Sequence, residues 1–380
     1  MLKIKEIPLS QDAIVRADEL EKVVQPTQTG QSARYFASQL KDVHSYLLGT
    51  PYFELNYKKD IRQFIPVGQF KPALKIFRQT RNKTSMITDL KSEYRAIVKA
   101  LFDLGTIFRV VDLERGDKIM GRWLRHKGCL SLELPYEQII HWQIFPRDMC
   151  VYIKEGNTLL VHSNLFKVPL ARINGCQIIH TKWGEGGRVL LSGNRMLLGC
   201  RPEARNRVKN AKIISQLRDM GMEVGFIPHA VFYGLSPKGE KSFVFHHSHI
   251  DLSGSLLRGK DGGFHLVMDP HYRTGPLVDL LSVQASLDLV RRSCEEIEVE
   301  VHVPGKNLSV PLATAMVQFE DDRVLMTGGD DEVLGVVAGI VGSENIQMTD
   351  IPIVQYPIFG GAGLHCLITE NPVSLVSALG

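Results

Sequence analysis

Two short apolar runs joined by turn residues, an amphipathic stretch, and a further apolar run: this order recurs along the chain. It is clearest between Arg188 and Pro228. Val189-Leu190-Leu191 and Met196-Leu197-Leu198 flank Ser192-Gly193-Asn194, which has the composition of a hairpin turn. Residues 202–221 then place Val208, Ile213, Ile214 and Leu217 at helical spacing, with Gly221 as a stop. Glu223 to Pro228 reads as the closing strand.

The same grammar predicts further copies. Cys150 to Ile153 and Leu159 to Val161 flank a Glu155-Gly156-Asn157 turn. Phe264 to Met268 precede a predicted helix over 276–294 and a strand over Ile297 to Val301. Met316 to Phe319, Arg323 to Met326, a helix over 332–341 and a strand over Ile351 to Val354 give another. A helix over 90–104 followed by Ile107 to Val111 reads as the first. Residue matches between the copies are poor, so the repeat is one of structure, not of sequence. Units spread over about 290 residues predict an α/β fold, a propeller of five pseudo-repeated ββαβ units around a central site. Residues 1–85 do not fit the pattern and read as an N-terminal extension of mixed structure, leaving 86–380 as the repeated domain.

Composition narrows the partners. The chain has 380 residues, 44% hydrophobic and 23% charged, enough for a sizeable core. Forty-five Lys and Arg against 41 Asp and Glu give a net charge of +4, too small for a dedicated nucleic-acid binder. Lys58, Lys59, Arg62, Lys71, Lys75, Arg78, Arg81 and Lys83 crowd one stretch opposed only by Asp60. That stretch reads as a solvated basic face, with an anion or partner patch as the alternative.

The six cysteines, Cys129, Cys150, Cys176, Cys200, Cys294 and Cys366, include no Cys-x-x-Cys pair and are too sparse for a disulfide scaffold. Met1 to Glu6 opens without the apolar core of a signal peptide. No apolar run approaches the roughly 20 residues of a membrane span. A reducing, cytoplasmic setting without membrane contact is the expectation, and a homo-oligomer is compatible with it.

Four segments carry candidate chemistry. Phe145-Pro146-Arg147-Asp148 and Gly184-Glu185-Gly186-Gly187 each present an acid beside a turn. His249-Ile250-Asp251 pairs an imidazole with a carboxylate, which a strand would place on one face. Gly360-Gly361-Ala362-Gly363-Leu364-His365-Cys366 sets a thiol after a glycine cluster, where the backbone is free to approach a substrate closely. Each has a plainer reading: a cap or surface ion pair for Asp148, a turn acid for Glu185, a buried core thiol for Cys366. The crowd His246, His247 and His249 invites a metal reading, but no cysteine or acid spacing there fits a zinc site.

Taken in order, these motifs resemble the guanidino-group-modifying superfamily, or penteins. Its members include arginine and agmatine deiminases, dimethylarginine hydrolases, peptidylarginine deiminases and amidinotransferases. The resemblance covers roughly residues 85–378 and implies a pentein-type catalytic domain and a small guanidino substrate. Cys366 would attack the guanidinium carbon as a thiolate, forming a thiouronium-type intermediate. Asp148 and Asp251 would grip the planar cation, which carboxylates match in bidentate fashion. His249 would protonate the departing nitrogen and then activate water, and Glu185 would orient His249. His365 receives no sharp role. No cofactor or metal is called for.

Two departures from the arginine deiminases stand out. The usual Glu-Gly-Gly-Asp is here Glu185-Gly186-Gly187-Arg188, and the arginine of the glycine loop is absent, with Gly361 near its place. Arg188, Arg201 and Arg205 are the candidate replacements for holding a substrate carboxylate. The leading expectation is a cysteine-dependent deiminase yielding a ureido product and ammonia. An amidinotransferase, with an amine in place of water, is the second reading. A non-catalytic binding module on the same fold is the third.

Overall fold

The computed structural model describes residues 45–48, 94–104, 108–111, 123–124, 130–132, 147, 150–162, 177–181, 183, 186–200, 205–235, 241–247, 249–275, 281–305, 313–327, 330–349 and 364–371. The basic stretch of residues 58–83 lies outside them.

In chain order, strand β1 (Ser45–Leu48) is followed by helix α1 (94–103), β2 (Phe108–Val111) and β3 (Leu130–Leu132). Strands β4 (Cys150–Ile153) and β5 (Thr158–His162) form a hairpin, and β6 (Gln177–Thr181) joins β5 in parallel. The Gly156-Asn157 turn uses positive φ at both residues, 106° and 44°, a conformation open to Gly and tolerated by Asn. Strands β7 (Val189–Ser192) and β8 (Arg195–Cys200) repeat the hairpin, and helix α2 (Arg205–Asp219) leads to β9 (Glu223–Pro228), parallel to β8. Gly221, at φ 88°, ends the helix as the sequence predicts.

An extra hairpin, β10 (Ala230–Leu235) with β11 (Lys241–His247), interrupts the series. Then β12 (Gly254–Arg258), β13 (Phe264–Met268), helix α3 (Val283–Glu295) and β14 (Val299–His302) restore it. So do β15 (Val317–Gln318), β16 (Val324–Thr327), helix α4 (Asp331–Val341) and β17 (Ile346–Thr349). The short helix α5 (Leu364–Leu367) leads into β18 (Ile368–Asn371).

Among the described residues, four three-stranded sheets thus share one pattern, an antiparallel pair with a third strand added in parallel. A parallel neighbour needs a crossover connection, and α2, α3 and α4 supply three of these. A fifth sheet carries the pattern in part and is drawn from both chain ends: β18 pairs antiparallel with β1, β2 pairs parallel with β1, and β3 extends it. Strand β1 falls in the stretch that the sequence reads as an extension, yet it lies between β18 and β2. The molecule is an α/β fold of small mixed sheets, and among the described residues no sheet closes on itself.

Two element boundaries differ from the sequence reading. The strand after α4 is Ile346–Thr349, while Ile351 to Val354 lie outside the described residues. Helix α3 begins at Val283, capped by Ser282, whose hydroxyl accepts from the Ala285 N–H at 3.1 Å. Its Leu287, Val290 and Cys294 share one face by helical spacing and meet Leu266, Met268 and Leu197 in a common core. A second core joins β4 to β6 with β7 to β9, through residues such as Leu160, Trp183 and Leu217. A third packs Leu257 and Val267 against Val333 and Val337 of α4. Each core is shared by two successive units. No helix among the described residues is long and apolar enough to cross a membrane.

Candidate functional site

Three single-turn elements meet at one place: the 3-10 turns Gly186–Arg188 and Ile250–Leu252, and helix α5. Short turns suit a site because each ends quickly and presents its side chains at the mouth of a strand. The first precedes β7, the second precedes β12 and the third precedes β18. Every one of them sits at an equivalent point of its unit.

Asp251 is the hub. It is completely buried, and its Oδ2 accepts from two directions: the Cys366 thiol at 3.3 Å and His365 Nδ1 at 3.3 Å. Its Oδ1 stands 3.9 Å from His249 Nδ1 and finds no hydrogen-bond partner among the described residues. Burial pushes the Asp251 carboxyl up, but the His365 hydrogen bond and the electrostatic pull of the nearby His249 and Arg147 outweigh it. The net direction is down, so Asp251 is a carboxylate. A buried carboxylate oxygen without a partner is costly, and native proteins keep such atoms mainly where they serve a function.

His365 is held in the opposite sense. Burial and the nearby Arg147 charge push it down to about 4, against the opposing pull of Asp251. It is neutral at pH 7, with Nδ1–H donating to Asp251. Arg147 itself is buried and donates to the Val189 carbonyl at 3.3 Å. The sequence reading gives His365 no sharp role and Arg147 none at all. The signal for Arg147 was its place beside Asp148 in Phe145-Pro146-Arg147-Asp148, and for His365 its place beside the thiol.

His249, Asp251 and Cys366 bring an imidazole nitrogen, a carboxylate oxygen and Sγ within 4.8 Å of one another. A soft divalent ion would fit the same donors, a property shared by any clustered thiol, imidazole and carboxylate. The sequence reading put His249 and Asp251 on one face of a strand. The structure instead places His249 in extended conformation at the mouth of the 3-10 turn that carries Asp251. The two side chains converge all the same, because the tight turn folds the carboxylate back toward the ring.

The glycines of the first turn have a steric cause. A Cβ on Gly187 would lie 2.3 Å from His249 Nδ1 and 2.9 Å from Asp251 Oδ1. No side chain fits there, so the backbone itself forms the wall behind the imidazole. Asp148, Glu185 and Arg201 lie outside the described residues, as does the side chain of Arg205. Arg188 is half-buried and ends the Gly186–Arg188 turn. Among the other cysteines, Cys150 and Cys294 are buried, and burial raises the Cys294 thiol to about 12, as expected of an inert core thiol.

No protein-family model and no curated protein matches the chain. Solved structures do. The chain is similar to agmatine deiminase of C. jejuni, at 11% identity and a TM-score of 0.48 over 87% of this chain and 94% of that enzyme. It is also similar to the product-bound N-terminal domain of ArgZ, a cyanobacterial arginine dihydrolase, at 11% identity and a TM-score of 0.46 over 87% of this chain and 97% of that domain. A variant of DDAH from Pseudomonas aeruginosa complexed with citrulline is similar at 13% identity and a TM-score of 0.38, over 66% and 84% of the two chains. All three come from the guanidino-modifying superfamily that the sequence motifs resemble. At these values the likeness is distant and carries no chemistry of its own.

Proposed function

We propose that the chain is a cysteine-dependent hydrolase of a guanidino compound, a deiminase that leaves a ureido product and releases ammonia. The observation that supports this best is the convergence of Cys366, His249 and Asp251, with the buried Asp251 Oδ1 lacking a hydrogen-bond partner among the described residues. That oxygen is suited to accept an N–H from a substrate guanidinium. Cys366 passes its proton to His249, which becomes the acid of the next step; its S–H thereby leaves Oδ2, and a second substrate N–H takes its place. The grip on the cation and the activation of the thiol are then one event. A guanidinium beside Sγ also favours the thiolate electrostatically.

The thiolate attacks the guanidinium carbon and forms a C–S bond. His249 donates a proton to one terminal nitrogen, which leaves as ammonia with the C–N bonding pair. Water then adds to the thiouronium carbon as His249 takes its proton. Collapse breaks the C–S bond and returns the thiolate, so one guanidinium and one water give one ureido group and one ammonium. Asp148 is proposed as the second carboxylate on the cation, and Glu185 as the partner that orients His249. Arg188, Arg201 and Arg205 are proposed for the substrate's tail.

We propose as well that the units close into a five-membered ring about this site, with residues 1–85 as an extension joined to it through β1. The neighbour relations support such a closure: β18 lies against β4, β4 to β6 share a core with β7 to β9, β7 lies against β12, β12 against β15, and α5 against β16. A crystal structure with β18 far from β4 would contradict it.

Ammonia and ureido formation measured on arginine, agmatine, methylated arginines and peptidyl arginine, with and without an added amine, tests the reaction. Release from at least one compound without amine is expected. Release that strictly requires the amine, with a new guanidino product by mass spectrometry, would move the chain to the amidinotransferase reading. No reaction with any of them would favour the binding module.

A further inference from the structure

A second polar cluster lies at the other end of the β12–β13 hairpin. The catalytic candidates adjoin the β12 start, where Gly254 pairs with Met268, whereas His265 pairs with Leu257 near the β12 end. His265 is four residues from Asp269, whose N–H bonds to the Ser253 carbonyl beside the Ile250–Leu252 turn. At about 3.3 Å per residue, that is roughly 13 Å along the strand. The two clusters are separate.

His265 on β13 faces Glu300 across the parallel pair with β14, and His302 follows two residues on, so all three project from one side of the sheet. His265 Nδ1 lies 3.0 Å from His302 Nε2 and 3.5 Å from a Glu300 oxygen, and His302 Nε2 lies 3.7 Å from the other oxygen. Tetrahedral bonds of about 2.0–2.1 Å set neighbouring donor atoms about 3.3–3.4 Å apart. The three separations bracket that value. Two imidazoles and a carboxylate are also the donor set of three-ligand zinc sites that keep a fourth position for water.

The far side of His265 supplies an independent observation. Its Nε2 lies 3.3 Å from Asp261 Oδ1, and that oxygen also accepts the Gly263 N–H at 2.9 Å. A metal-binding histidine characteristically gives its other N–H to a carboxylate, which fixes the tautomer and turns the remaining lone pair toward the ion. The turn is shaped around this contact. A Cβ on Gly259 would lie 2.5 Å from both Asp261 Oδ1 and His265 Nε2. His265 is buried, while His302 is a quarter exposed and Glu300 two-thirds exposed, which leaves an entry path from solvent.

We propose that His265, His302 and Glu300 form a binding site for a borderline divalent transition ion, of which zinc is the best match, with Asp261 as the carboxylate that positions His265. The ion would clip the edge strand β14 to β13, remote from the thiol chemistry.

Cobalt(II) and zinc titrations of metal-stripped Cys366→Ala protein test this, because that background removes the thiol from the other cluster able to bind metal. One equivalent of cobalt with a tetrahedral visible spectrum, displaced by zinc, is expected. Glu300→Gln, at an exposed position, and His302→Gln, at a partly exposed one, should each abolish that spectrum while the far-ultraviolet circular dichroism stays unchanged. Asp261→Asn should weaken binding by about 10–100-fold. Folded Cys366→Ala protein that shows no tetrahedral cobalt, or a spectrum that survives both Glu300→Gln and His302→Gln, overturns the proposal.

Discussion

Among the described residues Asp251 accepts two hydrogen bonds on one oxygen and none on the other, and that asymmetry makes it the most sensitive residue of the site. Asp251→Asn removes the charge and reverses one hydrogen-bond role with little change of shape. Binding of a guanidino ligand, read by calorimetry on inactive Cys366→Ala protein, should weaken by about 1.5–3 kcal/mol, roughly ten- to a hundredfold. Unchanged affinity would remove Asp251 from the cation grip. Gly187→Ala probes geometry, because its methyl group would sit where the His249 ring now stands. A displacement of about 1 Å is enough to lower kcat by about 10²-fold, with a stability cost of about 1–3 kcal/mol. A variant with wild-type kcat would show that His249 has no fixed role.

His365 gives the site a pH signature. Its folded value of about 4 is below the ordinary 6.5, so between these the unfolded chain binds a proton that the folded chain does not. Stability is therefore full above about pH 6.5 and falls as pH drops toward 4, by about 3 kcal/mol. Urea unfolding across this range should show the fall in wild type and a much shallower one in His365→Gln. Equal slopes in the two would contradict the burial of a neutral imidazole. The motif His249-x-Asp251 was legible in sequence because its spacing is local. The pull of Arg147 on His365 was not, since it joins positions 147 and 365 through the fold alone.

At the level of elements, strong periodicity was readable and the connections were less so. Helix α4, with Val333, Val337 and Val341 buried along one face, follows the predicted range closely. The hairpin β7–β8 was legible from its Ser192-Gly193-Asn194 turn, with Gly193 at φ 50°. Strand β17 was not legible because Ile346-Gln347-Met348-Thr349 alternates polar residues along a sheet edge, whereas Ile351 to Val354, which lie outside the described residues, are more apolar. The pairing of β1 with β18 was beyond reach, because no local pattern marks strands 320 residues apart as partners. The caps and cores yield direct tests. Ser282→Ala removes the bond to the Ala285 N–H and should cost about 1 kcal/mol. Leu197→Ala, at a fully buried position shared by β8 and α3, should cost about 2–5 kcal/mol. Chemical denaturation measures both, and a Leu197→Ala loss below that of Ser282→Ala would contradict the packing described.

For the whole molecule, the central idea is that turns from different units, far apart in sequence, bring a nucleophile, an acid–base group and a cation-binding carboxylate to one point. The glycine-flanked thiol, the His-x-Asp pair and the Glu-Gly-Gly turn carried that idea in sequence. Covalent trapping tests it most directly. Protein acid-quenched during turnover of an active guanidino substrate is digested and analysed by mass spectrometry. A substrate-derived adduct on the peptide containing Cys366 is predicted, more abundant in His249→Ala, where water activation is impaired, and absent in Cys366→Ala. Turnover that persists in Cys366→Ala, or an adduct found only on another cysteine, would contradict it.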